Sequence, residues 1–315
     1  GILDIDRRQI VQDTLLPLAQ YGNVIQLDPG EPQTFQEELQ KIDVLIIRLY
    51  PVDRAFLGNL PRLKAVVKAG VGVDHIDVEA ATQLGVSVSI SLGNHISVAE
   101  AAILLMLSAA RNLPYLNRNV KPDMSRLGIE LYEKNLGLVG CGRIGSHVAR
   151  IAKGLGMNVM INDPYADDAA KIGMGCRFVD FETLLRESDV VSLHCPLTPE
   201  THHLLSDREF AAMKPSCIIV NTARGAVIDE AALCRALKDG RIAGAGLDVV
   251  ENEPLSHDNP LLKLENAIVT PHRLIQSTDS LVRQTQSILE SAITYSLGAI
   301  PESAVNKSKI KDIKS

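Results

Sequence analysis

The sequence predicts an α/β protein of two doubly wound parallel-sheet domains. Three observations carry that prediction. Short apolar runs alternate with segments of helical apolar spacing along most of the chain, the pattern of strand–helix–strand units. Aromatic residues make up only 3% and Trp is absent, so the core must be built from Val, Ile, Leu and Ala. That composition suits parallel sheets buried on both faces. At 315 residues the chain is too long for one typical domain and suits two.

Taken in order, Ile2 to Ile5 reads as a first strand, Ile10 to Leu18 as a helix and Val24 to Leu27 as a strand closed by the Pro29-Gly30 turn. Phe35 to Lys41 reads as a short helix, and Val44 to Ile47 and Ala65 to Lys68 as buried strands. Lys68 then opens a glycine-bearing loop, Lys68-Ala69-Gly70-Val71-Gly72, at a strand's C-terminal end, where ligands of open α/β sheets bind. Val78 to Leu84 reads as a helix and Val86 to Ile90 as a strand. Ser97 and Glu100 form a capping-box pattern for a helix running to about Arg111. That helix is apolar nearly all round. A place at a domain junction and an ordinary core position fit it equally well. Leu113 to Tyr132 shows little periodicity. Beyond it, helices are expected at Phe181 to Glu187, Asp207 to Met213, Asp229 to Leu237 and Ser277 to Leu297, and strands at Val190 to Leu193, Cys217 to Val220, Ala243 to Val249 and Ala267 to Thr270. A polar tail rich in Lys and Ser closes the chain.

The most informative stretch is LGLVGCGRIGSHVARIAKGLGMNVMIND, Leu136 to Asp163. An apolar run leads into Gly140, Gly142 and Gly145 in G-x-G-x-x-G spacing. A helical segment, a second apolar run and Asp163 follow, the acid about twenty residues past the glycines. Gly140 permits a sharp turn out of the strand, Gly142 lets the backbone approach a pyrophosphate, and Gly145 lets helix and strand pack closely. The helix aims unpaired N–H groups and its positive dipole end at the phosphates. Asp163 can accept from the adenosine ribose hydroxyls and would repel a 2′-phosphate, so NAD is expected over NADP.

A net charge of −6 and the absence of a basic run argue against nucleic acid as a partner. The most apolar segment, Ala99 to Ala110, is too short to span a bilayer. Five scattered cysteines without C-x-x-C spacing read as reduced thiols, and no signal-peptide pattern opens the sequence, so a cytoplasmic location is expected. Without H-x-x-H or Cys/His ligand spacing no metal is expected, and without G-x-S-x-G no α/β-hydrolase.

Three side chains beyond strand ends can carry chemistry. Arg224, in NTARG, can grip a carboxylate with two parallel hydrogen bonds. Glu253, in ENEP, and His272, in TPH, follow neighbouring strands. If they touch, the carboxylate orients the imidazole and stabilises its charged form. Taken alone, the surface and structural readings of Arg224 and His272 stay open. His194 ends a strand and can line a coenzyme cleft; His147 sits on the coenzyme helix, His75 and His257 in loops, and His202 and His203 are expected to be solvated.

With KAGVGVDHID, SVAE, LGLVGCGRIG, HCPLTPETHHLL, VNTARGAVIDEAAL, GAGLDVVENEP and TPH in this order from about Ala65 to His272, the chain resembles the D-isomer-specific 2-hydroxyacid dehydrogenases. The resemblance implies a Rossmann coenzyme domain, 95–276, inserted into a flavodoxin-like substrate domain made of 1–94 and 277–315. It implies NAD, a small 2-hydroxy or 2-oxo acid substrate of the phosphoglycerate or hydroxypyruvate type, and a homodimer. By it Arg224 binds the substrate's carboxylate and carbonyl, His272 is the acid–base and Glu253 its partner. Val71 and Gly72 offer backbone N–H groups to the carboxylate, Asn94 lines the substrate region, and Lys68 stands where phosphoglycerate-type members carry a cation. Gly140, Gly142, Arg143, Ile144, Gly145, Asp163, His194, Thr222 and Asp248 fall at coenzyme positions. The alternative is a non-enzymatic NAD-sensing protein resembling the C-terminal-binding-protein corepressors. One departure stands out: the family usually carries Gly or Ala two residues after the histidine, whereas Arg273-Leu274-Ile275-Gln276 follow here, bulk that would narrow the nicotinamide pocket or reshape the substrate site.

Overall fold

The computed structural model describes residues 1–5, 8–119, 121, 123, 127–166 and 175–310; the last five residues of the polar tail and part of the segment after Leu113 lie outside them. The chain divides into two compact units, Gly1–Asn94 with Gln276–Ser315, and His95–Ile275.

In the first unit, β1 (Ile2–Leu3), β2 (Gln26–Leu27), β3 (Val44–Ile47), β4 (Ala65–Lys68) and β5 (Ser87–Ile90) form one parallel sheet in the order β2-β1-β3-β4-β5. This is the flavodoxin-like order. Successive strand residues point to opposite faces, and both faces are covered. Leu45, Ile47 and Val66 pack with Phe35, Leu39, Leu57 and Ala80. Ile46, Ala65 and Val67 pack with Val11, Leu15, Ile288, Ala292 and Tyr295. The second set draws on helix Thr278–Ser296, so the end of the chain closes the sheet begun at its start.

In the second unit, β6 (Asn135–Val139), β7 (Asn158–Asn162), β8 (Arg177–Phe178), β9 (Val190–Leu193), β10 (Ile218–Asn221), β11 (Gly244–Leu247) and β12 (Ala267–Val269) form a parallel sheet in the order β12-β11-β10-β9-β6-β7-β8. The strand order reverses between β6 and β9, the switch point where a Rossmann sheet takes its dinucleotide. Helix His95–Ala110 belongs to this unit's core, burying Ala99, Ala102 and Met106 and leaving Leu104 and Leu107 exposed.

Some local expectations change. Helix His95–Ala110 starts two residues before Ser97, which is buried inside the first turn rather than capping it. The first strands shrink to two residues each, and the helix expected from Phe35 begins at Pro32, a residue pre-set for a helix's first turn. Helices Arg54–Gly58 and Leu113–Arg118 and strand β8 were not anticipated; each is too short to show a period.

Candidate active site

The glycine turn is built by close approach. Gly140 has φ +89°, and a Cβ there would stand 2.9 Å from the backbone of His194 and Cys195, the continuation of β9. A Cβ on Gly145 would lie 2.4 Å from the Gly140 carbonyl. These two glycines let β6, β9 and helix Arg143–Gly154 converge at the switch point. Gly142 differs: nothing lies within 4 Å of its Cβ position, and it is the N-cap of the helix without a side-chain cap. The open space therefore lies before helix N–H groups that no side chain caps among the described residues. Arg143, exposed, and Ile144, half-buried, open the helix.

Asp163 follows β7, half-buried. Its Oδ2 accepts from Cys141 N–H at 2.8 Å and its Oδ1 from Tyr165 N–H at 2.9 Å. The acid thus ties itself to the glycine turn while keeping lone pairs for further donors. On the other side of the switch point, His194 Nε2 pairs with Ser192 Oγ at 2.9 Å, and burial pushes its pKa down to about 4, so the imidazole is neutral. Thr222 Oγ1 and Asp248 Oδ2 are buried without a hydrogen-bond partner among the described residues. Orphaned buried acceptors are costly unless something donates to them. An open space before a bare helix N-terminus, an acid beyond the next strand and two unpaired buried oxygens fit a dinucleotide with a polar carboxamide end.

The second unit also brings the three chemical side chains' loops together. Glu253 Oε2 lies 2.8 Å from His272 Nδ1, both side chains about one-third exposed. With Nδ1 engaged, Nε2 is left to exchange a proton. His272 adopts φ +53°, a left-handed conformation that non-glycine residues rarely hold. Asp248 fixes this turn: its Oδ1 accepts from Thr270 Oγ1 at 2.6 Å and from the N–H groups of Arg273 and Leu274 at 3.1 Å each. Leu274 packs against the core of the unit. Of the bulk after His272, the Leu274 side chain is thus spent on the core, while Arg273 is exposed.

Arg224 follows β10. Asn221 clamps its loop, Nδ2 donating to the Arg224 carbonyl and Oδ1 accepting from Ala223 N–H, both at 2.9 Å. Arg224 itself donates to the Ala223 carbonyl at 2.6 Å. A Cβ on Gly225 would stand 1.9 Å from the Val250 carbonyl oxygen, so only glycine lets the Arg224 loop lie on the turn leading to Glu253. Asn221, Gly225 and the Oδ1 role of Asp248 were missed from sequence. The signal for Asn221 was available, since an Asn at a strand end commonly hydrogen-bonds its own turn.

The first unit holds the remaining candidates. Lys68 is 4% exposed, and its Nζ donates to the Ala69 carbonyl at 2.9 Å. Gly70 N–H donates to Ser91 Oγ at 2.6 Å, which seats the loop against β5. Val71 and Gly72, half-buried, find no acceptor for their N–H groups among the described residues. Asn94 is buried, and its Oδ1 has no partner among the described residues. The solvated reading of His203 is corrected: its Nε2 lies 2.8 Å from Glu251 Oε1, and only His202 is exposed.

Residues 103–273 match the family model described as D-isomer specific 2-hydroxyacid dehydrogenase, NAD binding domain. The chain is 42% identical over 280 residues to a D-3-phosphoglycerate dehydrogenase of Archaeoglobus fulgidus, covering 87% of this chain and 53% of that protein. It is 39% identical over 293 residues to a glyoxylate reductase of Korarchaeum cryptofilum, covering 90% and 88%. The chain thus spans about half the length of the first relative and most of the second. The fold matches the crystal structure of a glyoxylate reductase from Paecilomyes thermophila with a TM-score of 0.88 at 29% identity, covering 98% of both chains.

Proposed function

Because the chain belongs to the D-isomer specific 2-hydroxyacid dehydrogenase family, we propose that it transfers a hydride reversibly between NAD and C2 of a small D-2-hydroxy or 2-oxo acid. The observation that carries this reading is the 2.8 Å contact between Glu253 and His272 in the unit that holds the glycine turn. Gly140, Gly142, Arg143, Ile144 and Gly145 would hold the pyrophosphate, Asp163 the ribose, and His194, Thr222 and Asp248 the nicotinamide end. The coenzyme supplies the hydride. The protein supplies placement and proton movement. In reduction, His272 gives a proton from Nε2 to the C2 oxygen; in oxidation it takes one back. Glu253 holds the ring by Nδ1 and balances its positive charge. Arg224 orients the substrate carboxylate.

Lys68 stands where phosphoglycerate-type members carry a cation, and donating to the Ala69 carbonyl leaves its charge in place, so the substrate class is a small 2-oxo acid with or without a second anionic group. The corepressor-like alternative is not favoured: the matched relatives are a dehydrogenase and a reductase. None of the five cysteines is in a disulfide, which supports a reducing, cytoplasmic setting. No helix among the described residues is long and apolar enough to cross a membrane. Exposed Leu104, Leu107, Leu113 and Leu116 offer an apolar surface for a homodimer, to be measured by light scattering.

The test is NADH consumption with glyoxylate, hydroxypyruvate and phosphohydroxypyruvate. Turnover of at least one of these acids is expected. NADH binding without turnover of any 2-oxo acid would return the chain to the sensing class.

A further inference from the structure

We propose a divalent transition-metal site, of the zinc class, formed by His202, His203 and Glu251. One ligand atom from each lies within 4.8 Å of the others. The sequence hides the set, because two adjacent histidines and an acid 48 positions from His203 make no local ligand motif. The fold assembles it in three steps. His203 adopts φ +52°, so the two neighbouring side chains do not point to opposite sides, and their rings stack at 4.0 Å and 25°. His203 N–H donates to the Ala226 carbonyl at 2.8 Å, fixing this turn to the segment after Arg224. Glu251 arrives from the end of β11 with one oxygen on His203 Nε2, at 2.8 Å. Its other oxygen accepts from Glu230 N–H at 3.2 Å, while Glu230 Oε2 accepts from Glu251 N–H at 3.0 Å.

This arrangement has the chemistry of a metal site. Two imidazoles and a carboxylate are the donors that zinc-class ions select, and such sites keep an open position for water. The Glu251 carboxylate is oriented by a backbone N–H, as ligating carboxylates commonly are. The Glu230 carboxylate close behind it adds negative potential. With bonds of about 2.0–2.1 Å, ligand atoms in a tetrahedral site stand about 3.3 Å apart. The His203–Glu251 pair therefore opens slightly, and the exposed His202 swings inward by rotating its own side chain. The ion takes the place of the proton now shared by His203 and Glu251. The site uses no atom of the Glu253–His272 pair.

The experiment is titration of the chelator-stripped full chain with Zn2+ by calorimetry and with Co2+ by its visible absorption. One saturable ion per chain is expected, with a higher melting temperature in its presence. His202→Gln, His203→Gln and Glu251→Gln should each weaken binding at least tenfold. His202 is exposed, so its variant keeps the fold and carries the test even if the others do not. Absence of saturable binding of either ion, or binding unchanged in His202→Gln and Glu251→Gln, overturns the site.

Discussion

Glu253 and His272 lie 19 positions apart and meet only because β11 and β12 are neighbours in the sheet. Glu253→Gln keeps the shape of the partner and removes its charge. A kcat lower by roughly 10- to 100-fold is expected, with NADH affinity little changed; His272→Ala should lose about 100-fold or more. Stopped-flow turnover beside NADH titration separates the two quantities, and an unchanged kcat in Glu253→Gln would uncouple the pair from the chemistry. Asp163 makes a second prediction. Its carboxylate would meet a 2′-phosphate as a like charge, so kcat/KM should favour NADH over NADPH. Asp163→Asn should narrow that ratio, and equal efficiency in the unmodified protein would remove Asp163 from the ribose site. These residues were legible because each ends a readable apolar run. Asn221 and the three donors on Asp248 Oδ1 were not. A hydrogen bond from a side chain to a particular turn depends on loop geometry that periodicity does not encode.

At the scale of elements, the strands and the longer helices followed from spacing, whereas Arg54–Gly58, Leu113–Arg118 and β8 did not, because five or six residues hold barely more than one helical turn and the two residues of β8 show no alternation. The turns between elements decide function, and two glycines in them predict opposite outcomes for one substitution. Gly225→Ala places a methyl 1.9 Å from the Val250 carbonyl oxygen, where backbone has to move. That should cost about 1–3 kcal/mol or more of stability, as overpacking does. It should also lower kcat, since the Arg224 and Glu253 loops separate. Gly142→Ala meets nothing within 4 Å and has φ −71°, which alanine accepts. It should leave the urea unfolding free energy within about 1 kcal/mol of the unmodified protein and weaken NADH binding, because the methyl enters the space before the helix N-terminus. If Gly142→Ala binds NADH normally, the pyrophosphate lies elsewhere.

Across the whole molecule, the second sheet reverses at β6 and β9, and the half-buried histidine that follows β9 links the proposed coenzyme site to stability. His194 has its pKa lowered by burial from 6.5 to about 4. The unfolded chain binds a proton there between these values and the folded chain does not. The stabilisation is therefore complete above pH 6.5, is lost as pH falls towards 4, and changes no further below that. The slope from this one group approaches about 1.4 kcal/mol per pH unit within the window. A chain of two units need not unfold in one step, so the effect belongs to the transition of the unit 95–275. His194→Gln can still pair with Ser192 Oγ but cannot titrate. Urea unfolding at pH 7 and pH 5 should show the unmodified protein losing more stability than the variant, by on the order of 1–2 kcal/mol. Carboxylates common to both proteins cancel in that difference. Equal losses would mean that His194 is solvated enough to take up its proton while folded, and its place in the coenzyme site would go with it.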